Sequence, residues 1–487
     1  MNLKMNFKTN KITFAVSVVL VASTALSAAA PATSTTLTGY GAPSSHNQAK
    51  RPPACYLRPP LDPTQPPPPP PEEKPTTITT IGQAYYCILD NFFDGPNLNN
   101  RSLLTAAFAG LTQELQRRGL DQRRAMPPAF TGKVDDDIAA FSQVYQQITA
   151  KLPDDPEVRQ AIAEATMRTM VDSLNTNHVG WKRSAPPANF SGITLSGTQG
   201  FFTQDPAASA PLYVAAVTDP AKSAGVRAGD EIVAINGAPP YVNGALSEGA
   251  VKWITESKRN TPVNLTLHRP ATDSTFDISV TPAPMSPTPD LPKLLDGNIA
   301  YVNLPGFSQQ SVDEMLAAIA EMRKSAQLRG LIIDLRSNGG GSGPDRLLGA
   351  LAHGKVIEYR CDANGHCTET RTDDSVQLLN LPVVTLVSRF CASACDIFAG
   401  AVKDLHLGPL VGTRTAGIAS GPTAPYALED GSSLDLPKVY SLSANKEIIN
   451  TIGVAPDFFA PVTAADLSAG RDPGLAKALE LLNSNRP

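Results

Sequence analysis

Apolar residues recur at spacings of three and four through IGQAYYCILDNFF, LLTAAFAGLTQEL and VRQAIAEATMRTMVDSL, which predicts helices from Ile78 to about Leu174. The pattern stops at Asn175, just ahead of NHVGW. From Gly192 to about Pro284 the texture changes to short apolar runs broken by turn residues: GITLSG, LYVAAV, DEIVAING, VNLTLHR and TFDISVTP read as strands. Beyond Asp296 strands alternate with helices, the pattern of a layered α/β core. NIAYVNLP is a strand, SVDEMLAAIAEMRKSAQ a helix whose SVDE start at Ser311 has the capping-box pattern, and GLIIDLR a buried strand. After SNGGGSG come a helix around Asp345 to Ala352 and a strand from Lys355. A second buried strand, LPVVTLVS from Leu381 to Ser388, runs into RFCASAC and then the helix DIFAGAVKD.

The start of the chain changes the picture of compartment. Lys4, Lys8 and Lys11 precede the apolar run FAVSVVLVA and the small residues STALSAAA, the layout of a secretory signal over residues 1–29. An uncleaved anchor is the alternative, but the run is shorter than the roughly 20 residues a span needs, so no membrane span is expected in the mature chain. Residues 30–75 read as a Pro-rich linker: 12 of the 44 prolines lie between Arg51 and Pro75, predicting an extended polyproline spacer rather than a ligand for an aromatic groove. The helical N-terminal region is placed at 76–190, a β-rich region at 191–285 and the α/β core at 286–487.

At 487 residues, with 42% hydrophobic and 18% charged positions, the chain has room for about three domains of roughly 150 residues and is too apolar for wholesale disorder. Lys+Arg 41 against Asp+Glu 45 gives a net charge of -4, so no positive field exists to hold a nucleic acid. Export permits disulfides, and six Cys is an even number. Cys361 and Cys367 bracket the turn DANGH and are the expected pair; a metal clip with His366 matches no standard zinc spacing. Partners for Cys55, Cys87, Cys391 and Cys395 stay open.

A strand running through a short turn into a helix is a platform for a nucleophile, and Ser393 occupies that turn. It also fits a plain helix cap. The strand ending DLRSNGGG offers backbone N–H groups without side-chain obstruction, as an oxyanion hole requires; a phosphate loop is opposed by the missing GK[ST] ending.

DPAKSAGVRAGDEIVAINGAPP, Asp219 to Pro240, resembles the central stretch of a PDZ domain of the bacterial protease type. Together with DLRSNGGG and RFCASACDIF it makes the chain resemble the C-terminal processing (tail-specific) serine peptidases from about Met167 to Phe459. The resemblance implies an α+β fold: a helical N-terminal region, a PDZ-like β domain and a layered α/β, crotonase/ClpP-like serine peptidase core. It places the nucleophile on Ser393 and the oxyanion hole on the N–H groups of Gly340 and Ala394, with no metal or organic cofactor. Gly192, Ile193 and Thr194 match the loop and strand that receive a peptide C-terminus as an added strand.

The chain departs from the Ser-Lys members, whose lysine position holds Ile418, with Pro422 where a glutamine would follow. TAG-x-x-SG resembles instead the branch of tricorn protease and the chlamydial protease-like activity factor, which use Ser, His and Glu. There the base falls on His178 and the glutamate position on Asn450, with Glu447 the alternative third residue. The implied activity is an exported, periplasmic or extracellular serine endopeptidase acting on protein or peptide substrates. A noncatalytic binding protein on the same fold, as among the interphotoreceptor retinoid-binding relatives, is the rival, and a scaffold that only tethers peptides through the PDZ-like segment is a third reading. Oligomeric state is not legible.

Overall fold

Six strands lie side by side in chain order in the computed structural model of the protein: Lys293–Leu295, Ile299–Asn303, Gly330–Asp334, Val383–Val387, Leu410–Gly412 and Phe458–Phe459. The first pairing is antiparallel and the rest are parallel. Gly330–Asp334 and Val383–Val387 bury every residue, because helices cover both faces. On one face Gln309–Ser325, Pro344–Leu351 and Ala394–Asp404 share a core that includes Ile333, Val387 and Phe398. On the other, Pro473–Ser484 sets Ala478 and Leu482 against Ile332, Val384 and Val411. The two central strands pair Asp334 with Leu386, so the loops that leave their C-terminal ends, 335–343 and 388–393, emerge together. That end of a parallel sheet is where ligand sites form.

The structure describes residues 51–59, 71–176, 178–183, 189–199, 203–204, 208–247, 253–254, 261–284, 292–421 and 423–484. The signal expected over 1–29 lies outside them. Among the described residues no helix is long and apolar enough to cross a membrane.

The expected helical region consists of the helices Ile78–Asn91, Asn100–Arg117, Val134–Thr149 and Pro156–Asp172. Their apolar faces join Trp181, Tyr426, Leu428, Leu434 and Leu436 in one core, so the hairpin Thr423–Ala427/Ser433–Pro437 is packed against the helices. The β-rich region holds Glu231–Ile235, Val263–Arg269 and Ser274–Val280 in an antiparallel sheet, and Ile193–Leu195 paired with Val214–Val217. Asn236 (φ 48°) and Gly237 (φ 81°) make the tight turn that Asn-Gly predicts.

Two expectations need correction. The cap of helix Gln309–Ser325 is Ser308, with Ser311 at the third helical position in a reciprocal Ser–Ser box, so the helix starts ahead of SVDE. The described flanks of the Pro-rich segment, 51–59 and 71–75, do not stand away from the globular part as a spacer would. Cys55 is bonded to Cys87, Tyr56–Leu57 pairs with Thr423–Ala427, and the Lys74 N–H donates to Asp430 O. Composition predicts polyproline there, but a disulfide and a sheet edge hold its flanks.

Candidate active site

The chain leaves Val383–Val387, passes through Ser388–Ala392 and enters helix Ala394–Asp404 at Ser393. Ser388 Oγ donates to Arg336 O at 2.7 Å, tying this turn to the neighbouring DLR segment. Ser393 has φ 59° and ψ -120°. Thr77 and Asp155, which only cap helices, have extended backbones. A residue with a side chain pays about 1–3 kcal/mol to adopt such a sparsely populated conformation. Ser393 therefore stands at a sharp strand-to-helix elbow, unlike those two caps, although it also forms a capping box with Asp396 at the third helical position.

The elbow is tied to a second loop by Asp396, which is 0% exposed. Its carboxylate accepts the Ser393 N–H (3.0 Å), the Gly417 N–H (2.9 Å), the Ile418 N–H (2.8 Å) and the Thr415 hydroxyl. Burial pushes this carboxyl up to about 6 against the pull of those hydrogen bonds. One acid thus fixes the backbone of Ser393 and the loop 415–418 with respect to each other.

Gly340 lies against Ser393 from the other side. A Cβ on Gly340 would stand 2.6 Å from Ser393 Cβ and 2.8 Å from Ala392 O, and its φ is 103°. Only glycine fits. Its expected part in the oxyanion hole needs qualification, since its N–H donates to Asn338 Oδ1 at 2.8 Å. Asn338, 0% exposed, also donates Nδ2 to Leu304 O at 2.8 Å. Gly340 N–H can serve an oxyanion only by leaving Asn338. Ala394 is the first residue of its helix, where an N–H has no carbonyl in the preceding turn to pair with.

His178 (φ 68°) follows the last helix of the N-terminal region and reaches the same loop, with Nδ1 3.1 Å from Ser420 Oγ. Burial, assisted by Lys182, holds the imidazole below its ordinary range, so it is neutral at pH 7 and can accept a proton. No hydrogen bond joins His178 to Ser393 in this structure. Asn450 Oδ1 accepts the Ala419 N–H at 3.0 Å, so Asn450 and His178 grip adjacent residues of one loop. Glu447 has an exposed side chain. Lys403, the nearest downstream lysine, donates Nζ to Ala455 O at 2.7 Å.

Ser420 and Asp396 escaped the sequence reading. Ser420 was visible only as the last serine of TAG-x-x-SG, and Asp396 only as a helix-start acid. Cys391 and Cys395 are bonded to each other, and Cys361 to Cys367 as expected, which leaves no thiols for a clip with His366. Of the peptide-binding candidates, Ile193 and Thr194 pair with Val217 and Ala216, and Gly192 (φ 82°) packs so closely that a Cβ would stand 2.3 Å from Thr218 O. Residues 248–252 and 255–260, also in that region, lie outside the described residues.

Residues 298–459 match peptidase family S41. The chain is 28% identical over 275 residues to the carboxyl-terminal-processing protease of Picosynechococcus sp., covering 55% of this chain and 65% of that one. It is 27% identical over 325 residues to the carboxy-terminal processing protease CtpA of Bacillus subtilis, covering 65% and 66%. A solved structure of a photosystem II D1 C-terminal processing protease shares the fold, with a TM-score of 0.51 at 21% identity over 84% of this chain and 97% of that one. The chain spans just under two-thirds of the length of the two curated relatives. The matched segment is that of a serine-type peptidase.

Proposed function

We propose that this S41 segment works within an exported serine endopeptidase of the His-dependent branch, which cuts protein or peptide substrates through an acyl-enzyme. The observation that carries the reading is the elbow conformation of Ser393 with Gly340 packed against it. Ser393 Oγ attacks the scissile carbonyl, His178 takes its proton and returns it to the leaving amine, and Ala394 N–H, joined by Gly340 N–H once it leaves Asn338, holds the oxyanion. The useful tautomer of His178 donates Nδ1–H to Ser420 Oγ, which leaves the Nε2 lone pair for the serine proton. Asn450 acts through the loop, by holding Ala419. The PDZ-like segment receives the substrate's C-terminal strand along Gly192–Thr194. Labelling by a fluorophosphonate, located on Ser393 by mass spectrometry, tests the assignment.

The binding-only reading draws on two observations: Gly340 N–H is engaged by Asn338, and His178 is bonded to Ser420 rather than to Ser393. Catalytic hydrogen bonds often tighten only with substrate present, which is why the hydrolase reading stands first. Absence of labelling would favour binding.

The base has its own signature. His178→Ala should lower kcat/KM almost as far as loss of the nucleophile, and the double variant should be little worse, because members of one catalytic unit fail non-additively. Asn450→Ala should cost less. Since burial lowers the His178 pKa, the neutral base persists below pH 6.5, and the acid limb of kcat/KM should fall below that value. Protonation of Asp396, pushed up to about 6, removes an acceptor from its four donors in the same window, so the limb should be steeper than a one-proton titration. A stopped pH profile from 4 to 9 measures both. Wild-type turnover by His178→Ala would move the base elsewhere.

A further inference from the structure

Two cysteines flank the nucleophile symmetrically and are bonded to each other. Cys391 and Cys395, with Cα atoms 5.1 Å apart, close a ring over CASAC with Ser393 at its centre. Both are 0% exposed. The ring spans the one point where the backbone takes φ 59° and ψ -120°, a conformation that lasts only where the surroundings over-determine it. Its ends belong to the two pieces that the elbow joins. Cys391 anchors the turn after the strand: its N–H donates to Ser388 O at 3.0 Å, and its carbonyl accepts the Ala416 N–H at 2.9 Å. Cys395 sits in the first turn of the helix, and its N–H donates to Ala392 O at 3.0 Å. The bridge therefore ties strand exit to helix start across the nucleophile, and the Ala416 bond extends the tie to the loop that carries Ser420.

Resting on the peptidase reading, we propose that the Cys391–Cys395 bridge is the positioning element that fixes Ser393 for attack, and that it closes during folding by exchange with a glutathione or protein disulfide. One cysteine thiolate attacks the donor disulfide, forming a mixed disulfide and releasing one donor thiol. The second cysteine thiolate attacks the chain's own sulfur in that mixed disulfide, closing the bridge and releasing the second donor thiol. The two cysteine thiols lose two protons and two electrons, and the donor disulfide takes up both pairs to become two donor thiols. Because both cysteines are sealed from solvent, the closed bridge is out of reach of reductant in the folded protein. The hairpin bridge is different, since Cys367 is exposed. The chain thus becomes competent once, in an oxidising compartment, and is not toggled afterwards.

The test uses the full chain, the rate of fluorophosphonate labelling at Ser393, and kcat and KM on a peptide. Cys391→Ala/Cys395→Ala, shown to be folded by circular dichroism, should label roughly 10- to 100-fold more slowly, with kcat lowered and KM kept, as a misplaced reacting group requires. Cys361→Ala/Cys367→Ala should label like wild type. Mild reductant applied to folded wild type should open Cys361–Cys367, seen by alkylation, and leave the labelling rate unchanged. Wild type refolded with its thiols reduced should label slowly, and unfolding it and refolding it in the presence of oxidised glutathione should restore the rate. If the Ala pair does not fold, Cys391→Val/Cys395→Val, closer to the thiols in volume, makes the same comparison. Equal labelling of wild type and the bridge-less protein overturns this proposal alone. Failure of oxidised wild type to label at all overturns the peptidase reading and this proposal with it.

Discussion

Ser393→Ala should abolish peptide hydrolysis, with kcat falling on the order of 10⁶-fold, the scale of losing the nucleophile of a serine peptidase. The substitution removes one oxygen from a half-buried side chain and keeps the Cβ, so packing against Gly340 survives. The backbone at φ 59° is no harder for alanine than for serine, and the bond to the Asp396 carboxylate uses the backbone N–H of residue 393, which alanine keeps. The melting temperature should therefore stay within a few degrees of wild type. Turnover on a quenched fluorogenic peptide, paired with thermal unfolding, separates chemistry from folding. Hydrolysis at the wild-type rate by the purified variant would remove Ser393 from the mechanism.

The second large effect is expected from Gly340→Val. Its Cβ would need the space of Ser393 Cβ, 2.6 Å away, and of Ala392 O, 2.8 Å away. Neither can yield cheaply, because Ala392 N–H is bonded to Asn338 O and the elbow is held by Asp396. A φ of 103° adds strain for any L side chain. Relief must come from shifting the loop or the nucleophile, and displacement by about 1 Å is enough to cost roughly 10²-fold in rate. If the N–H also serves the oxyanion, the loss compounds by about 10²- to 10³-fold. The labelling rate and kcat both read the displacement and the loss of a donor, because the phosphonyl oxygen occupies the same hole. A variant that is folded and labels as fast as wild type would show that the close approach is not needed.

These two residues stand out as candidates because each sits inside a compact motif whose chemistry is local: a strand, a turn and a helix for Ser393, and a glycine run after a buried strand for Gly340. The contacts that organise them are not legible in the sequence. Asp396 meets Thr415, Gly417 and Ile418 across some twenty residues, and Ser420 meets His178 across 242, pairings set by tertiary packing with no local periodicity to announce them. The cap of helix Gln309–Ser325 was misplaced for a different reason. Ser308 and Ser311 both have the chemistry of a cap, and the extended backbone of Ser308, not its sequence, decides. The Pro-rich segment misled through composition: a two-residue strand at Tyr56–Leu57 and one disulfide are too small to show in a pattern.

The hairpin Thr423–Ala427/Ser433–Pro437 follows directly on the loop that carries Ser420, yet its residues Tyr426, Leu434 and Leu436 are buried in the core of the N-terminal helices. The segment 298–459 that matches peptidase family S41 is thus not a self-contained cassette in this chain. Cut out by itself, it would present those side chains to water and lose His178 with the helices. An exchange of the front of the protein would therefore have to bring its own apolar covering for the hairpin.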